Sequence, residues 1–236
     1  RCAMTAARKR SAPVLRRPGQ PTAGQRRVGY AAISALLRYP DEALTGDLPL
    51  IEQAVADLPA AVRDQLLPFM AWLERTPLLD AQAGYVATFD LRRRCCLYLS
   101  YYLNGDTRRR GEALWRFKDA CRGAGFRVRD GELPDYLPLL LELAASGGER
   151  EAIALIQEHR AGIELLLQAL ERAGSSYAHL ISALQVLLPA AIPGTAASMA
   201  RLAAAGPPAE LVGIETPAAL GPYEPAIAGP EGSGRR

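Results

Sequence analysis

Apolar residues recur along this chain at steps of three and four rather than two, so the pattern predicts helices and offers no convincing alternating strand. Gly29 to Arg38 places Ile33, Leu36 and Leu37 on one face before Pro40 stops the run. Segment 60–75 carries Val62, Leu66, Phe69, Met70 and Leu73, with Pro68 as a kink or break. Pro77 suits the first turn of a helix through Leu78, Leu79, Tyr85, Val86 and Phe89. Asp106 or Thr107 is placed to cap a helix striped by Ala113, Leu114, Phe117, Ala120 and Cys121, ended by Gly123 or Gly125. Pro134 opens another, with Leu137, Leu140, Leu141 and Ala144 inward and Gly147-Gly148 as the stop. The longest predicted helix covers 149–173, with Ile153, Ile156, Ile163, Leu166, Leu167 and Leu170. A last one covers 176–188, with Tyr177, Leu180, Ile181, Leu184, Leu187 and Leu188. Cys95 to Leu103 is apolar on nearly every face, the mark of a helix surrounded by other helices. The expected fold class is all-α: a single-domain helical bundle with that helix at its centre.

Composition changes the picture at the two ends. The chain has 236 residues, 49% of them hydrophobic, enough to bury a core. Residues 1–28 are rich in Arg, Pro, Ala and Gly with few large apolar side chains, and from 189 to 236 Ala, Gly and Pro dominate. Neither stretch buries enough to offset its ordering entropy, so both are expected to be disordered tails around a helical domain at 29–188. The net charge of +3 divides the same way, because residues 1–29 hold eight basic residues and no acid. The remaining body is net acidic. No apolar run reaches the length of a membrane span, and the N-terminus lacks a signal peptide's apolar stretch, so a soluble cytoplasmic chain is expected. Arg1 opens the chain with Met4 close behind, which makes a start at that methionine a further expectation.

Chemistry is thinly represented. Cys2, Cys95, Cys96 and Cys121 show neither disulfide-scaffold nor metal-ligand spacing, and Cys95 and Cys96, about 100° apart on a helix, read as small core hydrophobes. His159 and His179 have no ligand partner at helical spacing and read as ordinary histidines. There is no glycine-rich phosphate loop. These absences point away from an enzyme and from a stably bound metal or cofactor.

Two arginine triplets, Arg92–Arg94 and Arg108–Arg110, invite a nucleic-acid reading, a basic-tailed helical module being the alternative function. Three consecutive helical residues fan over about 200° and form no phosphate track. Each triplet falls in the first turn of its predicted helix, where the dipole favours acids, and Asp90 and Asp106 just ahead offer compensation. With 30–89 and 131–190 both acidic, internal pairing competes with an exposed patch. The stretch Glu132-Leu133-Pro134-Asp135-Tyr136-Leu137-Pro138 reads as the start of a helix, which accounts for Pro134 and Asp135 but leaves Pro138 needing a place in the very first turn.

The block YVATFDLRRRCCLYLSYYLNGDTRRRGEALWRFK (85–118), followed by ELPDYLPLLLELAA (132–145), resembles the delta-subunit or NarJ-type family of nitrate reductase assembly chaperones. That family lies within the all-helical redox-enzyme maturation chaperones of the TorD and DmsD types, and the resemblance covers about 29–188. It implies a non-catalytic protein that binds the catalytic subunit of respiratory nitrate reductase, notably its N-terminal segment. Such a protein keeps the apo-enzyme competent for molybdenum cofactor insertion, delays membrane docking and is absent from the finished complex. Tyr85 and Phe89 match the family's Tyr/Phe-bearing motif. Glu132, Pro134 and Asp135 loosely match its Glu-Pro-x-Asp-His loop, with Leu133 intervening and Tyr136 where His is usual. An amphipathic client helix with basic residues would lie in an apolar groove rimmed by acids. The residues expected to bind it are Tyr85, Phe89, Asp90, Tyr98, Tyr101, Tyr102, Glu132, Pro134, Asp135 and Tyr136, in a monomer or homodimer.

Overall fold

The computed structural model describes residues 21–105, 107–129 and 131–205. Among them the backbone forms α1 (Ala23–Leu36), α2 (Glu42–Val55), α3 (Ala60–Arg75), α4 (Leu78–Tyr85), α5 (Leu99–Asn104) and α6 (Arg109–Gly123). It continues with α7 (Leu137–Ala145), α8 (Glu149–Glu158), α9 (Arg160–Arg172), α10 (Ala178–Leu187) and α11 (Thr195–Ala205). α1 packs on α7, α10 and α2; α3 lies on α10, α6 on α5 and α8, and α9 on α10, α5 and α11. The all-α class holds, and no helix among the described residues is long and apolar enough to cross a membrane.

Several boundaries differ from the pattern reading, each for a local reason. α1 begins at Ala23, inside the stretch read as a tail, because Thr22 and Gln25 form a capping box. The Gln25 N–H donates to Thr22 Oγ1 at 3.1 Å and the Thr22 N–H donates to Gln25 Oε1 at 2.9 Å. That start lets Arg26 pair with Glu149 at the head of α8. The apolar spacing predicts no helix over α2, since Gly46 and Pro49 break its stripe. α2 starts under an Asp41 cap, whose Oδ1 accepts the Leu44 N–H at 2.8 Å, and buries Leu44, Leu48 and Val55. α3 runs unbroken through Pro68. α11 lies in the region read as the second tail, yet packs on α9 with Leu202 against the core. The tail residues 1–20 and 206–236, and the cap candidate Asp106, lie outside the described residues. Thr107 does not cap α6; its hydroxyl donates to the Asn104 carbonyl at 2.7 Å.

Cys95 to Leu103 is not one helix. Arg93–Cys95 makes a single tight 3-10 turn, Cys96 to Tyr98 is extended, and α5 starts only at Leu99. Another stretch of chain takes up these backbone groups. The Leu99 N–H donates to the Asp135 carbonyl at 3.0 Å and the Leu137 N–H to the Leu97 carbonyl at 2.9 Å, an antiparallel bridge joining Tyr98 to Tyr136. The central position does hold, because Cys95, Leu97, Leu99, Ser100 and Tyr102 are all buried.

The predicted 149–173 helix is two helices joined at His159, whose φ of −101° and ψ of 14° leave the helical range. The break sets Gly162 against Tyr102 so closely that a Cβ there would meet the ring carbons at 2.8 Å. α4 widens into a π-helical turn at Val86–Asp90, closed by the Leu91 N–H on the Val86 carbonyl at 3.0 Å. Such wide turns reorient side chains, and this one carries Phe89.

Candidate functional site: a cleft beside the start of α7

α7 starts at Leu137, three residues later than Pro134, and Pro138 falls in its first turn, where a missing N–H costs nothing. The five residues before it therefore form a turn rather than helix. That turn aims Asp135 at the N-terminus of α5 instead of α7. Asp135 is fully buried, and its Oδ2 accepts the Ser100 N–H at 3.2 Å and the Ser100 hydroxyl at 2.5 Å. Arg110 of α6 adds charge, its Nη2 lying 3.9 Å from the same oxygen. The guanidinium also stands 5.9 Å from the centre of the Tyr98 ring. One carboxylate thus ties together α5, α6 and the strand-like pairing of Tyr98 with Tyr136.

Above this anchor opens a cleft of about 790 Å³. α7 supplies one wall with Leu139, Glu142 and Leu143, and the connection after α6 supplies the facing wall with Phe126, Arg127, Val128 and Arg129. Tyr98 and Tyr136, their ring centres 5.3 Å apart, reach it from below; Glu132 and Leu133 edge it, and Arg38 comes in from the end of α1. Arg38 pairs with Glu142 at 2.5 Å in an exposed bridge.

Behind Tyr136 the aromatic residues continue inward. The Tyr136 and Tyr85 hydroxyls share a hydrogen bond at 3.2 Å. Tyr85 packs on Phe89 with ring centres 4.8 Å apart, Phe89 on Tyr177 at 4.8 Å, and Tyr177 on Phe69 at 4.9 Å. Burial pushes the hydroxyl pKa values of Tyr85, Tyr98 and Tyr136 above the ordinary tyrosine value. The cleft therefore presents neutral phenols that donate or accept hydrogen bonds but carry no charge.

Of the ten residues expected to contact a client, Tyr98, Glu132 and Tyr136 line the cleft. Tyr85 and Phe89 are buried behind it, and Pro134 and Asp135 are buried beneath it as supports. Asp90 is exposed but does not line it. Tyr101 and Tyr102 face elsewhere; the Tyr102 hydroxyl donates to the Arg94 and Cys96 carbonyls at 3.2 and 2.9 Å. The pattern reading missed Arg38, Leu139, Leu143 and the whole 126–129 wall. Val128 and Phe126 belong to no periodic stripe, and only the alternation of Arg127 and Arg129 with them could have signalled an exposed, one-sided stretch. The rim is also not simply acidic, since Glu132 and Glu142 face Arg38, Arg127 and Arg129.

The arginine triplets part company. Arg92–Arg94 lies exposed ahead of α5, outside any α-helix, whereas Arg110 is drawn inward to Asp135. Burial raises the thiol pKa of Cys95 and of Cys121, which touches the cleft floor, so both stay protonated and poorly nucleophilic. No three His, Cys, Asp or Glu residues among the described ones gather as a metal site.

The nitrate reductase delta subunit family matches residues 55–183, which include the anchor, the aromatic chain and all of the cleft lining except Arg38. A probable nitrate reductase molybdenum cofactor assembly chaperone, NarJ, of Bacillus subtilis is 32% identical over 167 residues, covering 69% of this chain and 89% of that protein. The nitrate reductase molybdenum cofactor assembly chaperone NarJ of Escherichia coli is 34% identical over 163 residues, 68% of this chain and 69% of that protein. The nitrate reductase-like protein NarX of Mycobacterium tuberculosis is 36% identical over 156 residues. This chain spans 24% of its length. Among solved structures, a putative redox enzyme maturation protein from Archaeoglobus fulgidus superposes with a TM-score of 0.51 at 21% identity, over 67% of this chain and 91% of that one. That likeness shows a shared fold.

Proposed function

The chain belongs to the nitrate reductase delta subunit family, and from that premise we propose that it is a cytoplasmic, non-catalytic assembly chaperone for a nitrate reductase. Its client is the catalytic subunit, engaged through an N-terminal amphipathic segment while the apo-enzyme awaits molybdenum cofactor. The chaperone leaves once the cofactor is in and the complex assembles. The cofactor is cargo for the client, and the chaperone holds none stably.

The observation that carries this reading is the cleft beside α7. Leu139, Leu143, Phe126 and Val128 offer apolar walls, Tyr98 and Tyr136 offer neutral hydrogen-bonding edges, and charged groups ring the mouth. A helix lays its apolar face into such a groove and leaves its polar face in water. Release matters as much as capture. A wall made partly of an irregular connection, with few deeply buried anchors, gives a contact that can be undone. Tyr98, Glu132 and Tyr136 are the proposed contacts, and Tyr85, Phe89, Pro134 and Asp135 act behind them by fixing their positions.

The test is co-purification from cells that express the reductase. The tagged full chain should carry the apo form of the catalytic subunit, and Tyr136→Ala, in a folded protein, should carry much less. Recovery of equal amounts by both forms would remove the cleft from the account, and recovery of no catalytic subunit by the unaltered chain would remove the client.

A further inference from the structure

Residues 92–129 hold most of the basic charge among the described residues, and the structure leaves much of it unanswered. Arg110 turns to Asp135 and Arg116 pairs with Glu158 at 2.8 Å. Lys118, Arg122, Arg127 and Arg129 make no ion pair or side-chain hydrogen bond among the described residues, and all four are exposed. Three of them, Lys118, Arg122 and Arg127, surround one recess of about 540 Å³ at the end of α6, with Phe126 and Val128 also lining it. Like charges held together cost free energy unless an anionic partner covers them. With three cations and no acid in its lining, the recess suits an anionic occupant.

The chain itself contains a segment of the required character. Residues 206–234, outside the described part, carry Glu210, Glu215, Glu224 and Glu231 with no basic residue between them. Apolar residues intervene, among them Leu211, Val212, Tyr223 and Ile227. Six prolines in the same stretch reduce the conformational entropy lost when it is held against a surface. Reach is sufficient: the 18 residues from Ala205, the end of α11, to Tyr223 span up to about 60 Å when extended. A compact domain of this size has a radius of gyration of only about 16 Å.

We propose that the acidic segment around Glu215 to Glu231 of this same chain docks in the recess of Lys118, Arg122 and Arg127, with Tyr223 against Phe126 and Val128. Phe126, Arg127 and Val128 line both this recess and the client cleft, so the docked segment and the client share a wall. In that one respect the inference rests on the chaperone reading: the segment then acts as a resident competitor that a client displaces.

The experiment places a photoreactive p-benzoylphenylalanine at Tyr223 of the full chain, without any client, and maps the cross-links by mass spectrometry. Intramolecular links to residues 118–128 are expected. They should fall about fivefold in Lys118→Glu/Arg122→Glu/Arg127→Glu, the scale of two or three exposed ion pairs, and return when Glu215→Lys/Glu224→Lys is added. These side chains are exposed, so the reversals leave the fold intact, and the double reversal controls for it. Links elsewhere, no links, or links indifferent to the reversals would overturn the proposal. So would links that join two chains in a mixture of isotopically light and heavy protein. Because no client is present, failure here is separate from failure of the chaperone reading.

Discussion

Asp135 and Ser100 sit 35 residues apart in sequence, yet the buried Asp135 carboxylate accepts both the backbone N–H and the hydroxyl of Ser100. It does for α5 what a local N-cap residue does elsewhere, since Tyr98 at the cap position offers no side-chain hydrogen bond. Hydrogen bonds to a charged group contribute about 1.5–3 kcal/mol, so Ser100→Ala should cost about 2 kcal/mol in urea unfolding. Asp135→Ala removes both of these hydrogen bonds and the charge facing Arg110, and should cost more than Ser100→Ala, about 3 kcal/mol. A double-mutant cycle should show strong coupling; additive effects would mean the two residues act separately.

Two glycines with similar close contacts should behave differently when replaced by alanine. At Gly29 a new Cβ would meet the far end of Leu187, its Cδ1, at 2.6 Å, and that end can rotate away. At Gly162 it would meet Tyr102 Cβ and ring carbons at 2.8 to 2.9 Å, close to the backbone of a buried residue. Alanine also gains about 1 kcal/mol of helix propensity at either site. Gly29→Ala should be near neutral and Gly162→Ala destabilising by about 2 kcal/mol in denaturant midpoints.

His159 makes stability depend on pH. Burial among α8, α9 and Phe117 lowers its pKa from the ordinary 6.5, against smaller opposite effects of the Leu155 carbonyl and the charges of Glu158 and Asp135. Below pH 6.5 the unfolded chain takes up a proton that the folded chain resists, so stability falls as pH drops from 6.5 toward the lowered folded value. Above 6.5 the contribution is fully present. His159→Gln should flatten this part of the pH profile relative to the unaltered protein, and identical slopes would assign the dependence to other groups.

Tyr136 separates support from contact. Tyr136→Phe keeps the ring against Tyr98 but leaves the buried Tyr85 hydroxyl without its partner, at a cost of about 1 kcal/mol in stability. Client-peptide affinity should change by less than about threefold. Tyr136→Ala removes part of the cleft itself and should weaken the peptide about tenfold, or about 1.4 kcal/mol. Fluorescence anisotropy with a labelled peptide reads both.

The regular part of this fold was legible because its helices carry unbroken stripes. Val62 to Leu73 on α3 and Leu180 to Leu187 on α10 are buried as their spacing predicts. Where a side chain or a distant backbone segment decides, spacing is silent. Nothing local says that Cys96 to Tyr98 pairs with residues near 136, or that the helix through His159 breaks so that Gly162 can meet Tyr102. The site divides the same way. Tyr98, Glu132 and Tyr136 could be named from residue type and resemblance, whereas Asp135, an acid in a polar loop, reads as a rim contact and is in fact wholly enclosed. The wall at 126–129 escaped notice because an irregular segment has no period to detect.

The central claim is that the cleft beside α7 holds the client's N-terminal segment. Calorimetric titration of the full chain with a peptide copy of the nitrate reductase catalytic subunit's N-terminus tests it most directly. The account predicts saturable one-to-one binding with a Kd of about 1–10 µM, near −7 to −8 kcal/mol, lost by about tenfold in Tyr136→Ala. No heat and no competition at peptide concentrations of several hundred micromolar, about a hundredfold above that Kd, would contradict it.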